Sequence, residues 1–153
     1  MSLCSELLTA MEGKTLATAE SCTGGGIGAA LTAVPGSSRV YKGGIISYWS
    51  EVKAKLLGVD PENLRRYGAV SEPVAREMAQ GVRRILETDA ALSVTGLAGP
   101  DGDEFGHPVG TVYIGYADAN TTQVRHSLFQ GNREEIRNQV IRAALELALE
   151  YNK

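Results

Sequence analysis

The sequence predicts an α/β fold with three layers, in which helices cover both faces of a mixed, mostly parallel sheet. Segments with helical apolar spacing alternate with short strand-like segments, a pattern typical of parallel βαβ units. Two strand-like segments then follow one another late in the chain, which favours a mixed sheet. At 153 residues the chain can bury one sizeable core, so we expect a single domain over residues 1–153.

Composition and charge exclude several classes of protein. The chain has 15 lysines and arginines against 18 acidic residues and no basic run, so nothing favours a nucleic-acid partner. No apolar run is long enough to span a membrane, and the first residues do not resemble a secretory signal. Its 2 cysteines and 2 histidines have no metal-ligand spacing. We therefore expect a cytoplasmic protein without a metal.

The N-terminal part predicts a helix, a strand and a second helix. Apolar residues at helical spacing predict the first helix over residues 2–12, which Gly13 ends. A strand is expected at residues 15–19, followed by a sharp turn at residues 20–22. Small residues predict that the second helix covers about residues 23–33 and packs closely on the sheet.

The middle of the chain predicts two further strands separated by helices. A strand at residues 43–48 leads directly into a helix at about residues 50–57. An Asp–Pro pair at residues 60–61 starts a short helical turn, and Ser71 precedes a longer amphipathic helix. The uncharged segment at residues 90–95 predicts a central strand.

The last third predicts a loop, two strands and a final helix. The loop at residues 95–103 is too rich in glycine to be regular. Strands are expected at residues 109–117 and 123–129. Asn132, with a glutamate three residues later, forms a capping-box pattern at the start of a helix that ends at about residue 150.

The turn after the first strand presents two candidate nucleophiles. It lies at the carboxyl end of that strand, where open α/β sheets bind ligands, and Gly24 to Gly26 allow backbone amides to approach a ligand. Ser21 places a hydroxyl there, and a hydroxyl needs a base. Cys22 places a thiol there, whose pKa a helix N-terminus would lower, but Cys22 has no obvious histidine partner.

Lysine supplies a better candidate base than histidine. His107 precedes a proline in a loop, and His126 lies in a predicted edge strand. In the helix at residues 50–57, Lys53 falls on the predicted apolar face whereas Lys55 falls on the opposite side. Burial would lower the pKa of Lys53, as a base requires, although its stem could instead follow the edge of the core.

Two further expectations concern the neighbours of Lys53. The predicted apolar face of its helix consists of Val52, Leu56 and Leu57. Tyr48 ends the preceding strand, from which it could carry its hydroxyl to the edge of the sheet where Ser21 lies, or remain a half-buried strand residue.

These residues belong to a series of motifs that resembles the C-terminal domain of the CinA competence/damage-inducible family. The resemblance covers roughly residues 7–149. Its motifs, in order, are Ala19-Glu-Ser-Cys-Thr-Gly-Gly25, Gly43-Gly-x-x-x-Tyr48 with Lys53, Leu57-Gly-Val59, Gly68-Ala-Val-Ser71, Thr95-Gly-x-Ala-Gly-Pro100, Pro108-Val-Gly-Thr-Val112 and Phe129-x-Gly-x-Arg-x-x-Ile-Arg137.

The resemblance implies nicotinamide-nucleotide amidase activity, in which nicotinamide mononucleotide (NMN) is hydrolysed to nicotinic acid mononucleotide and ammonia. Carried onto this chain, it makes Ser21 the nucleophile, Lys53 its base and Tyr48 a proton relay. It implies no cofactor. Larger family members carry an additional N-terminal domain, so we expect this chain to resemble the stand-alone amidase and to form a homo-oligomer.

Substrate-binding roles are expected in three segments of the chain. Backbone N–H groups of the turn would stabilise an oxyanion, the glycine-rich loop would line the ribose and phosphate, and arginines of the last helix would bind the phosphate. The residues concerned are Glu20, Cys22, Thr23, Gly24, Gly25, Thr95, Gly96, Ala98, Gly99, Arg133 and Arg137.

Other readings of the sequence remain open. Asp103 and His107 stand where the family usually has a glycine and a lysine, which concerns substrate affinity more than chemistry. Cys22 could replace Ser21 as the nucleophile. An alternative from another class is a catalytically silent nucleotide-binding regulatory module. Arg133 could pair with a neighbouring glutamate instead of a phosphate.

Overall fold

One five-stranded sheet lies at the centre of the protein, in a computed structural model that describes residues 1–153. Its strands are β1 (Leu16–Glu20), β2 (Tyr41–Ile46), β3 (Ala90–Gly96), β4 (Thr111–Asp118) and β5 (Thr122–Leu128). They lie in the order β2-β1-β3-β4-β5. β1 is parallel to β2 and β3, and β4 is antiparallel to both β3 and β5. Only β4 therefore opposes the common strand direction, and the predicted mixed, mostly parallel sheet is confirmed.

Helices cover both faces of this sheet, as predicted. The helices are α1 (Leu3–Ala10), α2 (Gly26–Thr32), α3 (Ser50–Leu57), α4 (Pro61–Tyr67), α5 (Glu72–Leu86) and α6 (Arg133–Glu150). One core cluster joins α1, α2 and α6 to Leu92 of β3, and the other joins α3 and α5 to its neighbour Ala91. Successive strand residues point to opposite faces, so these two clusters are the two sides of a three-layer fold. None of the helices combines the length and the apolarity needed to cross a bilayer.

The turn after β1 is longer than the sequence predicts. The second helix begins at Gly26 and not at residue 23, because Gly24 and Gly25 have φ angles of +59° and +101°, outside the helical region. Two successive turns fill the gap, in which the N–H of Gly24 donates to Ser21 O and that of Gly26 to Thr23 O. This irregular segment carries five of the predicted site residues, Ser21 to Gly25.

The predicted apolar face of α3 is only partly right. Lys53 and Leu57 are buried as predicted, whereas Leu56 is 47% exposed. The helix has 8 residues and packs against α5 through a narrow stripe, so a residue one position before Leu57 already turns to solvent. Lys55 is exposed, as predicted.

Gly81 allows α5 to pack directly against the end of α3. A Cβ added at Gly81 would lie 2.0 Å from the carbonyl oxygen of Leu57, which is backbone and cannot move aside. The close approach holds the C-terminal turn of α3 against α5, one turn beyond Lys53.

We expect Gly81→Ala to destabilise the protein. Alanine favours a helix by about 1 kcal/mol over glycine, but overpacking against backbone costs about 1–3 kcal/mol or more, so the clash dominates. Urea denaturation should show a lower unfolding midpoint. Gln80→Ala, at an exposed position of the same helix, should change the free energy of unfolding by less than about 0.5 kcal/mol. A Gly81→Ala variant as stable as the original protein would contradict the packing described here.

Candidate active site

A cavity of about 300 Å³ lies at the carboxyl ends of β1 and β3. Nine of the predicted site residues line it, namely Ser21, Cys22, Tyr48, Lys53, Thr95, Gly96, Ala98, Gly99 and Arg133. The other five, Glu20, Thr23, Gly24, Gly25 and Arg137, are not part of its lining. The structure thus brings the two candidate members of a nucleophile–base pair to one cavity.

Lys53 lies beside Ser21 at hydrogen-bond distance. Its Nζ is 2.9 Å from Ser21 Oγ, 2.5 Å from the carbonyl oxygen of Ser47 and 3.1 Å from that of Tyr48. Lys53 is only 1% exposed, and among the fully buried residues only Tyr116 is larger. The pair forms because Ser21 follows β1 and Lys53 lies in the first turn of the helix after the neighbouring strand β2.

Burial lowers the pKa of Lys53 to about 8, against a small opposing effect of Cys22. An ammonium has three N–H donors, which match the three acceptors around Nζ. A neutral amine keeps two donors for the two carbonyls and turns its lone pair to the hydroxyl of Ser21. The two protonation states therefore fit the same geometry, as a group that accepts and returns a proton requires.

The pKa of the Cys22 thiol is shifted in the opposite direction from the one expected. Burial raises the pKa of its thiol to about 11, and the smaller effects of its own backbone, Lys53 and Arg137 do not compensate. The helix N-terminus that was expected to lower this pKa begins at Gly26, four residues further on, so its dipole does not act at Cys22. A thiol of this kind stays protonated near neutral pH and is a poor nucleophile.

Tyr48 does not bring its hydroxyl to Ser21 or Lys53. The side chain is 56% exposed, and its hydroxyl accepts a hydrogen bond from Arg133 Nη2 at 3.2 Å. Only the backbone carbonyl of Tyr48 contacts Lys53. The predicted relay through this hydroxyl therefore has no support in the arrangement of the site, because Tyr48, two residues before α3, turns its side chain towards the rim of the cavity.

Arg133 joins the rim of the cavity to α6. Besides Tyr48, its guanidinium contacts the carbonyl oxygen of Gly99 in the loop after β3. No carboxylate pairs with it, so the open alternative of a bond to a neighbouring glutamate is not realised. Because a guanidinium has five N–H donors, further donors remain for an anion.

Glu20 supports the turn from inside the fold and does not face the cavity. The carboxylate is 2% exposed and accepts four hydrogen bonds, two of them from the N–H groups of Ile27 and Gly28 at the start of α2. The other two come from the hydroxyls of Thr18 and Thr23. Glu20 therefore caps α2 from a distance, in place of the substrate-binding role predicted for it.

Arg137 also binds backbone groups of the turn and not the cavity. Its Nε donates to the carbonyl oxygen of Cys22 at 3.1 Å, and its Nη2 donates to that of Thr23 at 2.9 Å. The guanidinium approaches the turn from the side of α6 and is absent from the cavity lining. The predicted phosphate contact by Arg137 thus has no support. Arg133, in contrast, lies at the rim of the cavity with donors left for a phosphate.

Five residues of the cavity lining were missed, namely Ala69, Val70, Leu97, Pro100 and Asp101. Two of them belong to the motif Gly68-Ala-Val-Ser71 that contributes to the family resemblance, which was the signal that could have identified them. The hydroxyl of Thr95 donates to the carbonyl of Ala69, so the β3 end and this segment form one wall.

Asp103 and His107, which depart from the family pattern, bond to each other. The carboxylate accepts from His107 Nδ1 at 2.7 Å and from the N–H groups of His107 and Phe105. Burial opposes ionisation of Asp103, but these hydrogen bonds hold its pKa below the usual value. The pair closes a loop beside the cavity without lining it. His126 is stacked on Tyr113 in the sheet, so neither histidine reaches Ser21.

We expect Glu20→Gln to lower the free energy of unfolding by about 2–4 kcal/mol. The amide replaces one acceptor oxygen with a donor that faces buried donors, so at least one of them loses its partner. Urea denaturation measures the change. Glu12→Gln, at an exposed glutamate, is the matched control and should change this free energy by less than about 0.5 kcal/mol. Equal effects of the two substitutions would contradict the capping role.

Known proteins resemble the chain over most of its length. A competence-damage inducible protein of Acetivibrio thermocellus is 53% identical to the chain over 137 residues, which are 90% of this chain and 33% of the relative. A CinA-like protein of a Sulfurihydrogenibium species is 48% identical over 138 residues, which are 90% of this chain and 34% of the relative. The chain thus spans about a third of the length of these curated relatives.

Solved structures show the same fold. The crystal structure of the competence/damage inducible protein CihA from Agrobacterium tumefaciens matches with a TM-score of 0.95 at 37% identity, covering 99% of this chain and 94% of that chain. The family model described as the CinA C-terminal domain matches residues 2–152. With nearly its whole length matched, the chain belongs to the CinA C-terminal domain family.

Proposed function

We propose that the protein is a nicotinamide-nucleotide amidase that hydrolyses the carboxamide of NMN to nicotinic acid mononucleotide and ammonia. The observation that supports this most is the buried contact of 2.9 Å between Lys53 Nζ and Ser21 Oγ in the wall of a cavity. A serine beside a lysine of lowered pKa is an activated nucleophile of the kind used in acyl transfer. The carboxamide as substrate follows from the family resemblance.

The reaction would begin when Ser21 Oγ attacks the carboxamide carbon and its proton passes directly to Lys53 Nζ. The carbonyl oxygen becomes an oxyanion, for which the N–H groups of the turn after Ser21 are the available donors. Lys53 then returns the proton to the departing ammonia. Water attacks the resulting ester of Ser21, with Lys53 again as the base, and releases the acid product.

The rim of the cavity suits the remote part of such a substrate. Arg133 is exposed and is the one cation besides Lys53 that lines the cavity. Its unused donors could bind a phosphate bidentately. Tyr48 and the glycine-rich end of β3 would then flank the ribose and the ring. Remote binding of the phosphate would hold the carboxamide against Ser21, which is how positioning accelerates a reaction.

We expect Ser21→Ala to reduce ammonia release from NMN by roughly 10⁴-fold or more, since the attacking atom is lost. Lys53→Ala should reduce it by about 10²–10⁴-fold, because general-base assistance is lost. An enzyme-coupled ammonia assay measures both. Lys55→Ala, on the exposed side of the same helix, is the matched control and should be as active as the original protein.

Other outcomes would identify other functions. Comparable turnover by Ser21→Ala would exclude the serine mechanism, and loss of turnover in Cys22→Ser together with activity in Ser21→Ala would identify the thiol as nucleophile. Binding of NMN without any ammonia release by the original protein would favour the catalytically silent regulatory module instead.

The pH dependence of turnover should follow Lys53. Only the neutral amine can accept the proton of Ser21, so kcat/KM for NMN should rise with pH and level off above a pKa of about 8. Below that value it should fall about tenfold per pH unit, because the neutral fraction falls in that proportion. Initial rates at low NMN concentration measure the profile. A profile that is flat, or that falls on going from neutral pH to pH values just above this pKa, would contradict a lysine base.

A further inference from the structure

We propose that Arg137 is a positioning residue for the reaction: by holding the carbonyls of Cys22 and Thr23, it fixes the turn that directs the N–H of Cys22, the residue after Ser21, at the site of the oxyanion. This inference rests on the proposed amidase function and assigns a device to the same site. Arg137 is not part of the cavity lining, so it acts through the turn and not on the substrate.

The first observation is that Arg137 alone determines where one carbonyl points. Its Nε donates to Cys22 O at 3.1 Å, and no other group donates to that oxygen. Its Nη2 donates to Thr23 O at 2.9 Å, which also accepts from the N–H of Gly26. Because a guanidinium is planar and rigid, one side chain fixes the direction of both carbonyls at once.

The second observation concerns the peptide units of the turn. In a trans peptide the N–H points opposite to the carbonyl, so the hydrogen bond of Arg137 to Thr23 O also fixes the N–H of Gly24. That N–H donates to Ser21 O at 3.1 Å and so holds the peptide between Ser21 and Cys22, whose own N–H points the other way. The N–H of Cys22 donates to no other residue, although Cys22 is only 6% exposed. Buried N–H groups without a partner are rare in proteins, so this one requires an explanation.

An oxyanion explains it. The N–H belongs to the residue that directly follows Ser21, and the N–H after a nucleophilic serine is a common oxyanion donor. Cys22 lines the cavity, whereas Thr23 is fully buried and does not. The unpaired donor and the proposed nucleophile are therefore adjacent along the chain and at the same cavity.

The turn needs an external support because its own sequence is permissive. Gly24 and Gly25 have positive φ angles, and glycine loses this conformation at little cost. Glu20 holds the side chain of Thr23 and the start of α2, but it does not contact the carbonyl of Cys22. Without Arg137 the peptide between Thr23 and Gly24 could rotate, release Ser21 O and let the N–H of Cys22 turn away from the oxyanion.

The test compares Arg137→Ala and Arg137→Lys with the original protein. For NMN hydrolysis we expect kcat to fall about 10²-fold in Arg137→Ala, the usual effect of a misplaced catalytic group, with KM nearly unchanged. The lysine variant, with one donor group, should lose less, and added guanidinium at non-denaturing concentration should partly restore Arg137→Ala. Arg142→Ala, at an exposed arginine of the same helix, is the control and should leave kcat unchanged.

A second measurement separates this inference from the choice of substrate. A fluorophosphonate labels an activated serine, and its phosphoryl oxygen would use the same donor, so labelling of Ser21 should slow about 10²-fold in Arg137→Ala. If the original protein leaves NMN intact and Arg137 still controls labelling, the inference stands and the proposed substrate fails. Labelling at the original rate by Arg137→Ala, with thermal unfolding showing that the variant is folded, would overturn the inference. Absence of labelling of Ser21 in the original protein would overturn it as well.

Discussion

The burial of one amine is the constraint on which the site depends. Lys53 Nζ is withdrawn from water and kept between Ser21 Oγ and two backbone carbonyls. Removing an amine from water is costly unless hydrogen bonds replace its hydration, and these three acceptors do so while burial keeps the pKa low. The geometry requires that β1 and β2 are parallel neighbours, since only then does the chain after β2 return beside the end of β1.

The turn between β1 and α2 is supported by two opposite charges acting on opposite backbone groups. Glu20 accepts hydrogen bonds from N–H groups at the start of α2, and Arg137 donates to the carbonyls of Cys22 and Thr23. Each charge satisfies polar groups that burial would otherwise leave without partners. After both, the N–H of Cys22, next to Ser21 at the cavity, still donates to no other residue, so the same arrangement supports the turn and leaves a free donor beside the proposed nucleophile.

The rim of the cavity combines one arginine with a loop that departs from the family pattern. Arg133 links α6 to the loop after β3 and to Tyr48, which makes the rim a junction of three separate segments. Asp103 and His107 replace the residues that the family resemblance leads one to expect, and they pair with each other beside the cavity. The change therefore alters how the loop is closed and leaves Ser21 and Lys53 in place.

Much of the fold and part of the site could be predicted from the sequence, because local patterns carry that information. Apolar periodicity located the helices and strands, and the capping pair at Asn132 is present as predicted. Glycines at the turn and the position of Lys53 on the predicted apolar side of a helix made Ser21 and Lys53 candidates, and the family resemblance made them partners. The burial of Leu56 was predicted wrongly, since a short helix can bury a narrower stripe than its composition suggests.

Tertiary structure decided the roles of the charged residues. In the sequence Glu20, Arg133 and Arg137 are alike as candidates for binding a substrate, because a motif shows which charges lie near a site but not which groups they meet. Packing of α2 and α6 against the sheet directs Glu20 and Arg137 to backbone groups of the turn, and leaves Arg133 at the cavity. The sequence by itself determined the fold class and the pairing of Ser21 with Lys53. Partners more than a hundred residues apart, such as Arg137 and Cys22, are set only by the folded chain.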